Sequence, residues 1–125
     1  MNGKTLGLAV VFLFFLIGGI AHFAVTDFFV RIMPPYIPFP REAVLLSGAV
    51  ELILAFCLLK PSLRPLTGWA LIALICVVST ANIHMSMNPE LFPEIPEWAL
   101  TLRLFIQAGL LWLVWWSTRP APQRT

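Results

Sequence analysis

Charge is scarce in this sequence. Eight Lys and Arg and six Asp and Glu stand among 125 residues, for a net charge of +2. So small and dispersed a charge excludes the basic stripe that nucleic-acid binding requires. Cysteine occurs only at Cys57 and Cys76, with no CxxC spacing, which excludes a disulfide scaffold and a dithiol redox motif. Placed on separate helices, Cys76 stands roughly 15 Å deeper than Cys57 at 1.5 Å per residue, too far for a bridge. Two histidines, His22 and His84, are all there are, and no HxxxH or ExxH pair falls on one helix, so no metal centre is expected. A nucleophile constellation, a haem-ligating pair and a flavin motif are missing as well, and no catalytic residue is assigned. Proline is present eleven times, yet it is absent from four long stretches of the chain.

Those four stretches are what the sequence does contain. Hydrophobic residues make up 59% of the chain, more than a small soluble domain carries. They concentrate at about residues 6–23, 43–59, 66–83 and 98–116. Each stretch is close to the ~20 residues that cross a ~30 Å hydrocarbon core. Without internal proline, each predicts an uninterrupted helix. The expected fold is all-α: a polytopic membrane protein, an antiparallel bundle of four transmembrane helices forming one domain over residues 1–125. The first stretch also fits a secretory signal, with Lys4 before an apolar core and Gly19-Ile20-Ala21 as a small-x-small cleavage site. Its removal would leave a three-helix remnant without His22, and the four-span reading is preferred.

With four spans, Lys4, Lys60, Arg64, Arg119 and Arg124 share one side, and most of the acids lie on the other. The positive-inside rule then puts both termini in the cytoplasm. Trp98 and the group Trp112, Trp115 and Trp116 fall at the two ends of the last span, where indole rings favour the interface.

The connection between the first two spans, residues 24–42, is the longest. Its Pro-rich stretch favours extended backbone without internal hydrogen bonds. It is also apolar for an exposed loop, so Pro34, Pro35, Tyr36 and Pro38 are expected to form a lid that lies on the bundle mouth or dips into the outer interface. Lys60 to Pro65 reads as a tight turn that pairs the second and third spans. Residues 85–97 read as a polar outer loop with one short turn.

Few polar residues lie inside the spans, and they are not scattered. His22, Ser47, Glu51, Asn82, Arg103 and Gln107 all fall in the outer half of the membrane, and every span contributes at least one. Ser47 and Glu51 are four apart, as are Arg103 and Gln107, so each pair shares a helix face. An intramembrane acid costs roughly 2.5–3.5 kcal/mol on insertion scales and requires a partner. Arg103 does not deprotonate and needs an anion or several acceptors. A Glu51–Arg103 ion pair, direct or through Gln107 or water, is therefore expected in a polar pocket. The plainer alternatives remain: the pair is structural glue, His22 bonds a carbonyl, Asn82 holds helices together, and His84 sits uninvolved at the water boundary. Gly18, Gly19 and Gly48 lie near His22 and Glu51, where small residues let helices approach.

These pieces together resemble a known family. Gly19-Ile20-Ala21-His22-Phe23, Pro34-Pro35-Tyr36-Ile37-Pro38, Ser47-Gly48-Ala49-Val50-Glu51, Leu58-Leu59-Lys60-Pro61, Ala81-Asn82-Ile83-His84-Met85 and Arg103-Leu104-Phe105-Ile106-Gln107 follow the order and spacing of the DoxX-like family of small four-helix membrane proteins. The chain departs from it at Ser79-Thr80 and at Phe105, where the family often carries a proline. Both departures remove a kink. The resemblance implies a protein of the bacterial cytoplasmic membrane with a compact four-span bundle. It also implies an association with redox or assembly partners, since the family takes its name from a subunit linked to quinone-coupled sulfur oxidation. It transfers no catalytic residue.

Two functions follow as expectations. The first is a non-enzymatic accessory or assembly protein, or a binder of a small amphipathic ligand, embedded in lipid and partnered by a membrane or redox-enzyme protein. The alternative is a quinone-linked membrane subunit of an oxidoreductase system, with quinone as its cofactor. Proton-coupled transport would call for inverted repeats and broken helices, which the sequence does not display.

Overall fold

Proline punctuates the chain, and the helices run between its prolines. In the computed structural model, which describes residues 3–119, these helices are α1 (Gly3–Ala24), α2 (Thr26–Ile32), α3 (Pro40–Cys57), α4 (Arg64–Met87) and α5 (Glu97–Thr118). Single 3-10 turns at Pro61–Leu63 and Pro89–Leu91 precede α4 and α5. Pro40 opens α3 and Pro65 lies in the first turn of α4, where a missing N–H costs nothing. α4 stops just before Asn88-Pro89, and α5 starts just after Pro96. The described residues include no strand. Both α4 and α5 run unbroken through Ser79-Thr80 and Phe105.

Three helical segments are long and apolar enough to cross a membrane: Gly3–Ala24, Pro61–Met87 and Glu97–Thr118. α3 falls short of that composition because Arg41, Glu42 and Glu51 all lie within its 18 residues. Arg41 and Glu42 occupy its exposed first turn, whereas Glu51 is buried at mid-helix. Large apolar side chains cover the outside of the long helices; Ile17, Ile53, Val77 and Phe105 are each more than 60% exposed. An apolar exterior of that extent is a liability in water and ordinary in lipid. The chain is thus an all-helical membrane protein.

Each long helix buries one stripe. On α1 it is Gly7, Val11, Phe15, Gly19 and His22; on α3 it is Val44, Gly48, Glu51 and Ala55. These spacings of three and four place each stripe on one helical face. α1 packs against α3 and α5, and α4 packs against α5 and less extensively against α3. A Cβ on Gly48 would stand 2.6 Å from the His22 Cβ, and one on Gly19 would stand 2.8 Å from the Leu52 side chain. Glycine is what lets α1 and α3 come that close.

Two apolar clusters fill the interior. The larger joins Val11, Phe15, Ala55, Leu71, Ile75 and Val114 with Leu58 and Leu110. The smaller joins Ile32, Ala81, Met85, Phe92 and Leu100. Residues 24–42, expected to be loop throughout, instead contain α2, which supplies Ile32 to the second cluster. Arg31 of α2 donates to the Leu91 carbonyl at 3.1 Å, lies 5.3 Å from the Phe92 ring centroid and pairs with Glu94. These contacts fasten α2 to the 88–96 connection. At the other end of the molecule, Arg119 donates to the Pro65 carbonyl at 2.8 Å and lies 4.5 Å from the Trp69 ring centroid. That clasp ties the end of α5 to the start of α4.

The connection into α3 ends on Phe39, whose φ of 50° is left-handed, unusual for a side-chain-bearing residue ahead of a proline. Cys57 and Cys76 are both free thiols.

Candidate functional site

Between the two apolar clusters lies a cavity of about 380 Å³. All six polar residues picked out in the sequence line it: His22, Ser47, Glu51, Asn82, Arg103 and Gln107. The rest of the wall is mainly apolar and includes Phe15, Ile32 and Ala81. Phe14, Val77 and Ile106 line the cavity and are also exposed on the outer apolar surface, so it opens sideways between helices.

The polar residues divide into two groups. The first is on α1 and α3. Glu51 Oε2 is 3.0 Å from His22 Nδ1, and the same nitrogen is 2.7 Å from the Gly18 carbonyl oxygen. One ring N–H cannot serve both oxygens well. The geometry directs it to Gly18, which leaves Glu51 Oε2 buried with an electrostatic contact and no aligned hydrogen bond. The other carboxylate oxygen fits over Gly18, where a Cβ would come within 3.2 Å of it. The His22 ring stacks on Phe29 of α2, with centroids 4.1 Å apart and planes inclined by 11°. Ser47 Oγ donates to the Val44 carbonyl of its own helix at 2.9 Å.

The second group is on α4 and α5. Arg103 Nε donates to Asn82 Oδ1 at 3.0 Å. Asn82 Nδ2 in turn donates to Gln107 Oε1. Gln107 Nε2 donates to the Ile75 carbonyl at 3.4 Å. This relay of side-chain amides fixes the guanidinium from its Nε edge.

The expected Glu51–Arg103 ion pair is corrected in its direct and Gln107-bridged forms. Glu51 meets His22, and Arg103 meets Asn82; among the described residues Arg103 has no carboxylate partner. Both residues line the same cavity, but each is held by its own neighbouring helix. The four expected lid residues do not reach the cavity wall. Pro34 is buried, Pro35, Tyr36 and Pro38 are exposed, and none of the four lines the cavity. The residues of that connection that do line it are Phe29 and Ile32 of α2, with Met33 and Ile37. Phe29, which stacks on His22, is among the cavity residues that sequence reasoning misses. The apolar spacing of Phe28 and Phe29 to Ile32, four and three residues, is a helical signal hidden beside a Pro-rich stretch.

His84 lies outside the cavity lining, with its ring edge-on to Phe92 at 6.4 Å and its Nδ1 3.3 Å from Asn88 Nδ2. Among the described residues no group of three or more His, Cys, Asp or Glu could hold a metal ion.

These features define a class: an all-helical membrane protein with a laterally open, mostly apolar cavity bearing two separate polar groups. The chain belongs to DUF8561, a domain-of-unknown-function family whose profile matches residues 9–119 and so takes in every polar residue of the cavity. No curated protein and no solved structure matches the chain.

Proposed function

We propose that this chain is a four-span, DoxX-like protein of the bacterial cytoplasmic membrane that binds a small amphipathic molecule in its cavity, as an accessory or assembly protein without catalytic machinery of its own. In this reading α1, α3, α4 and α5 cross the bilayer as an antiparallel bundle. The excess of Lys and Arg at the end carrying Lys4, Lys60, Arg64 and Arg119 sets both termini in the cytoplasm and the cavity in the outer leaflet. α3 crosses despite its charges, because Arg41 and Glu42 stay at its exposed end and Glu51 is sheltered against His22.

The observation that carries the proposal is the make-up of the cavity. Polar side chains from four helices line a space that is otherwise apolar and open to the lipid-facing surface at Phe14, Val77 and Ile106. Small-molecule sites share that composition, an apolar wall with a few placed polar groups, and a volume of about 300–1,000 Å³. A bundle held together only by helix packing has no need of such a space. Native mass spectrometry of the protein extracted with its own lipids tests the proposal. The wild type should retain a small molecule that a cavity-filling Ser47→Phe variant of equal helicity loses. Equal adduct spectra for the two would reject ligand binding.

A second reading, a quinone-linked subunit, is favoured by one feature. The His22 ring, stacked on Phe29 beside Glu51, sets a proton-accepting pair on the wall of an aromatic-rich cavity. Electrons would have to come from a partner redox enzyme. Titration with a soluble quinone, followed by the His22 ring resonances, separates this reading from the first. Unchanged resonances at saturation would remove it.

A further inference from the structure

Arg103 is the one cation among the residues lining the cavity, and its hydrogen bonding is incomplete. Nε donates to Asn82 Oδ1 at 3.0 Å, yet the two terminal amino groups have no acceptor among the described residues. A guanidinium carries five N–H donors in a planar fork. Here one donor is committed and four are not. The residues nearest in kind are already engaged. Asn82 bridges Arg103 and Gln107, Gln107 reaches the Ile75 carbonyl, and Glu51 is against His22. A half-buried guanidinium in low-dielectric surroundings is costly without an anion.

We propose that the cavity takes an amphiphile with an acidic head group, a carboxylate or phosphate monoester, and a single apolar chain. The head group is held by the free amino groups of Arg103, and the chain lies along Phe14, Phe15, Ile75 and Leu110. This inference rests on the ligand-binding proposal above and adds the chemical class. Three features support it. The Asn82–Gln107 relay holds the guanidinium by Nε alone, which leaves the paired Nη groups presented as a fork, and a fork of that kind matches two oxygens of a carboxylate or phosphate. Glu51 does not compete for the guanidinium, because its partner is on α1. The volume, about 380 Å³, is near the lower end for small-molecule sites, which suits one chain better than two.

Photolabelling in nanodiscs of zwitterionic lipid provides the test, because label mapped to the cavity wall is distinct from bulk partition into lipid. The probes are diazirine-bearing dodecanoate, dodecyl phosphate and dodecanol. Dodecanoate and dodecyl phosphate should label Phe14, Ile75 or Leu110 at least about tenfold more efficiently than dodecanol. Arg103→Gln should bring the acids down to the alcohol's level and leave the alcohol unchanged, while Arg103→Lys should keep part of the preference. Equal labelling by acid and alcohol in the wild type overturns the acidic head group but leaves cavity binding intact. No cavity labelling by any probe overturns both. Unlabelled dodecanoate and phosphatidylglycerol are the competitors. Displacement by dodecanoate alone supports a free single-chain acid; equal displacement by phosphatidylglycerol overturns the single-chain assignment in favour of a bilayer lipid. Because the ligand series is read on the wild-type protein, the result does not depend on a variant folding.

Discussion

His22 and Glu51 face each other across the glycine-lined contact of α1 and α3, with Nδ1 and Oε2 3.0 Å apart. The approach depends on Gly18 and Gly48, which leave room for the carboxylate and for the histidine Cβ. Substitutions at the two side chains should therefore be coupled. A cycle of His22→Ala and Glu51→Gln should show an interaction of about 1 kcal/mol, within the 0.5–3 kcal/mol usual for touching residues. Glu51→Gln combined with Arg103→Gln should fall within about 0.5 kcal/mol of additivity, because those two are held by different neighbours. Thermal unfolding in one detergent measures both cycles. A larger coupling for the second would mean that Glu51 and Arg103 meet after all.

The relay on the other wall has a different signature. Asn82→Leu keeps the branching and number of heavy atoms of the side chain but removes the acceptor for Arg103 Nε and the donor to Gln107 Oε1. Interhelical hydrogen bonds in membrane proteins are worth about 0.6–2 kcal/mol. The loss should be at the upper end of that range, since it strands a guanidinium and not only an amide. The free energy of unfolding in a mild denaturing detergent series measures it. No change would mean that Arg103 is satisfied without Asn82.

Glycines in this chain should respond to alanine in opposite ways. Gly48→Ala would force its Cβ to 2.6 Å from the His22 Cβ and push α1 off α3. Overpacking of that kind typically costs about 1–3 kcal/mol. A Cβ added at Gly109 on α5 would meet nothing within 4 Å, so Gly109→Ala should be neutral or gain up to about 1 kcal/mol from helix propensity. Paired melting curves of the two variants decide the matter.

Outside the spans, Arg31 and Glu94 link α2 to the connection before α5. The hydrogen bond from Arg31 holds the Glu94 carboxyl below the usual carboxylate range, and Glu94 in turn raises Arg31. A carboxyl depressed in the folded state adds stability above its unfolded value, about 4.3 for Glu, and loses it as pH falls through the folded value. Both side chains are roughly half exposed, so the contribution is small and screened by salt. The stability difference between wild type and Glu94→Gln should be present near about pH 7, vanish in acid below the folded value, and shrink at high ionic strength. A difference that persists in acid would assign the effect to packing.

Much of the architecture was legible because each helix answers to a local signal. Proline at the boundaries and unbroken apolar runs marked the four long helices, and their ends moved by only a few residues. α2 escaped because seven residues beside a Pro-rich stretch carry too little periodicity to stand out. That His22, Ser47, Glu51, Asn82, Arg103 and Gln107 share a cavity was legible from their positions along the long helices, since few polar residues stand there. Their pairing was not. Opposite charge suggested Glu51 with Arg103, but the nearest polar neighbour of each lies on the helix it packs against: His22 for Glu51 and Asn82 for Arg103.

Sequence determined, then, that the chain is helical and apolar, where proline stops each helix, and at what level the rare polar side chains stand. These are local properties, set by backbone chemistry and by position along a helix axis. Only the tertiary structure decided which faces meet. Glycines fix how closely α1 and α3 approach, and that approach places the imidazole against the carboxylate and leaves the guanidinium facing an open cavity with its outer donors unused. Side-chain partners depend on helix rotation and spacing, and those are fixed by how all the long helices pack.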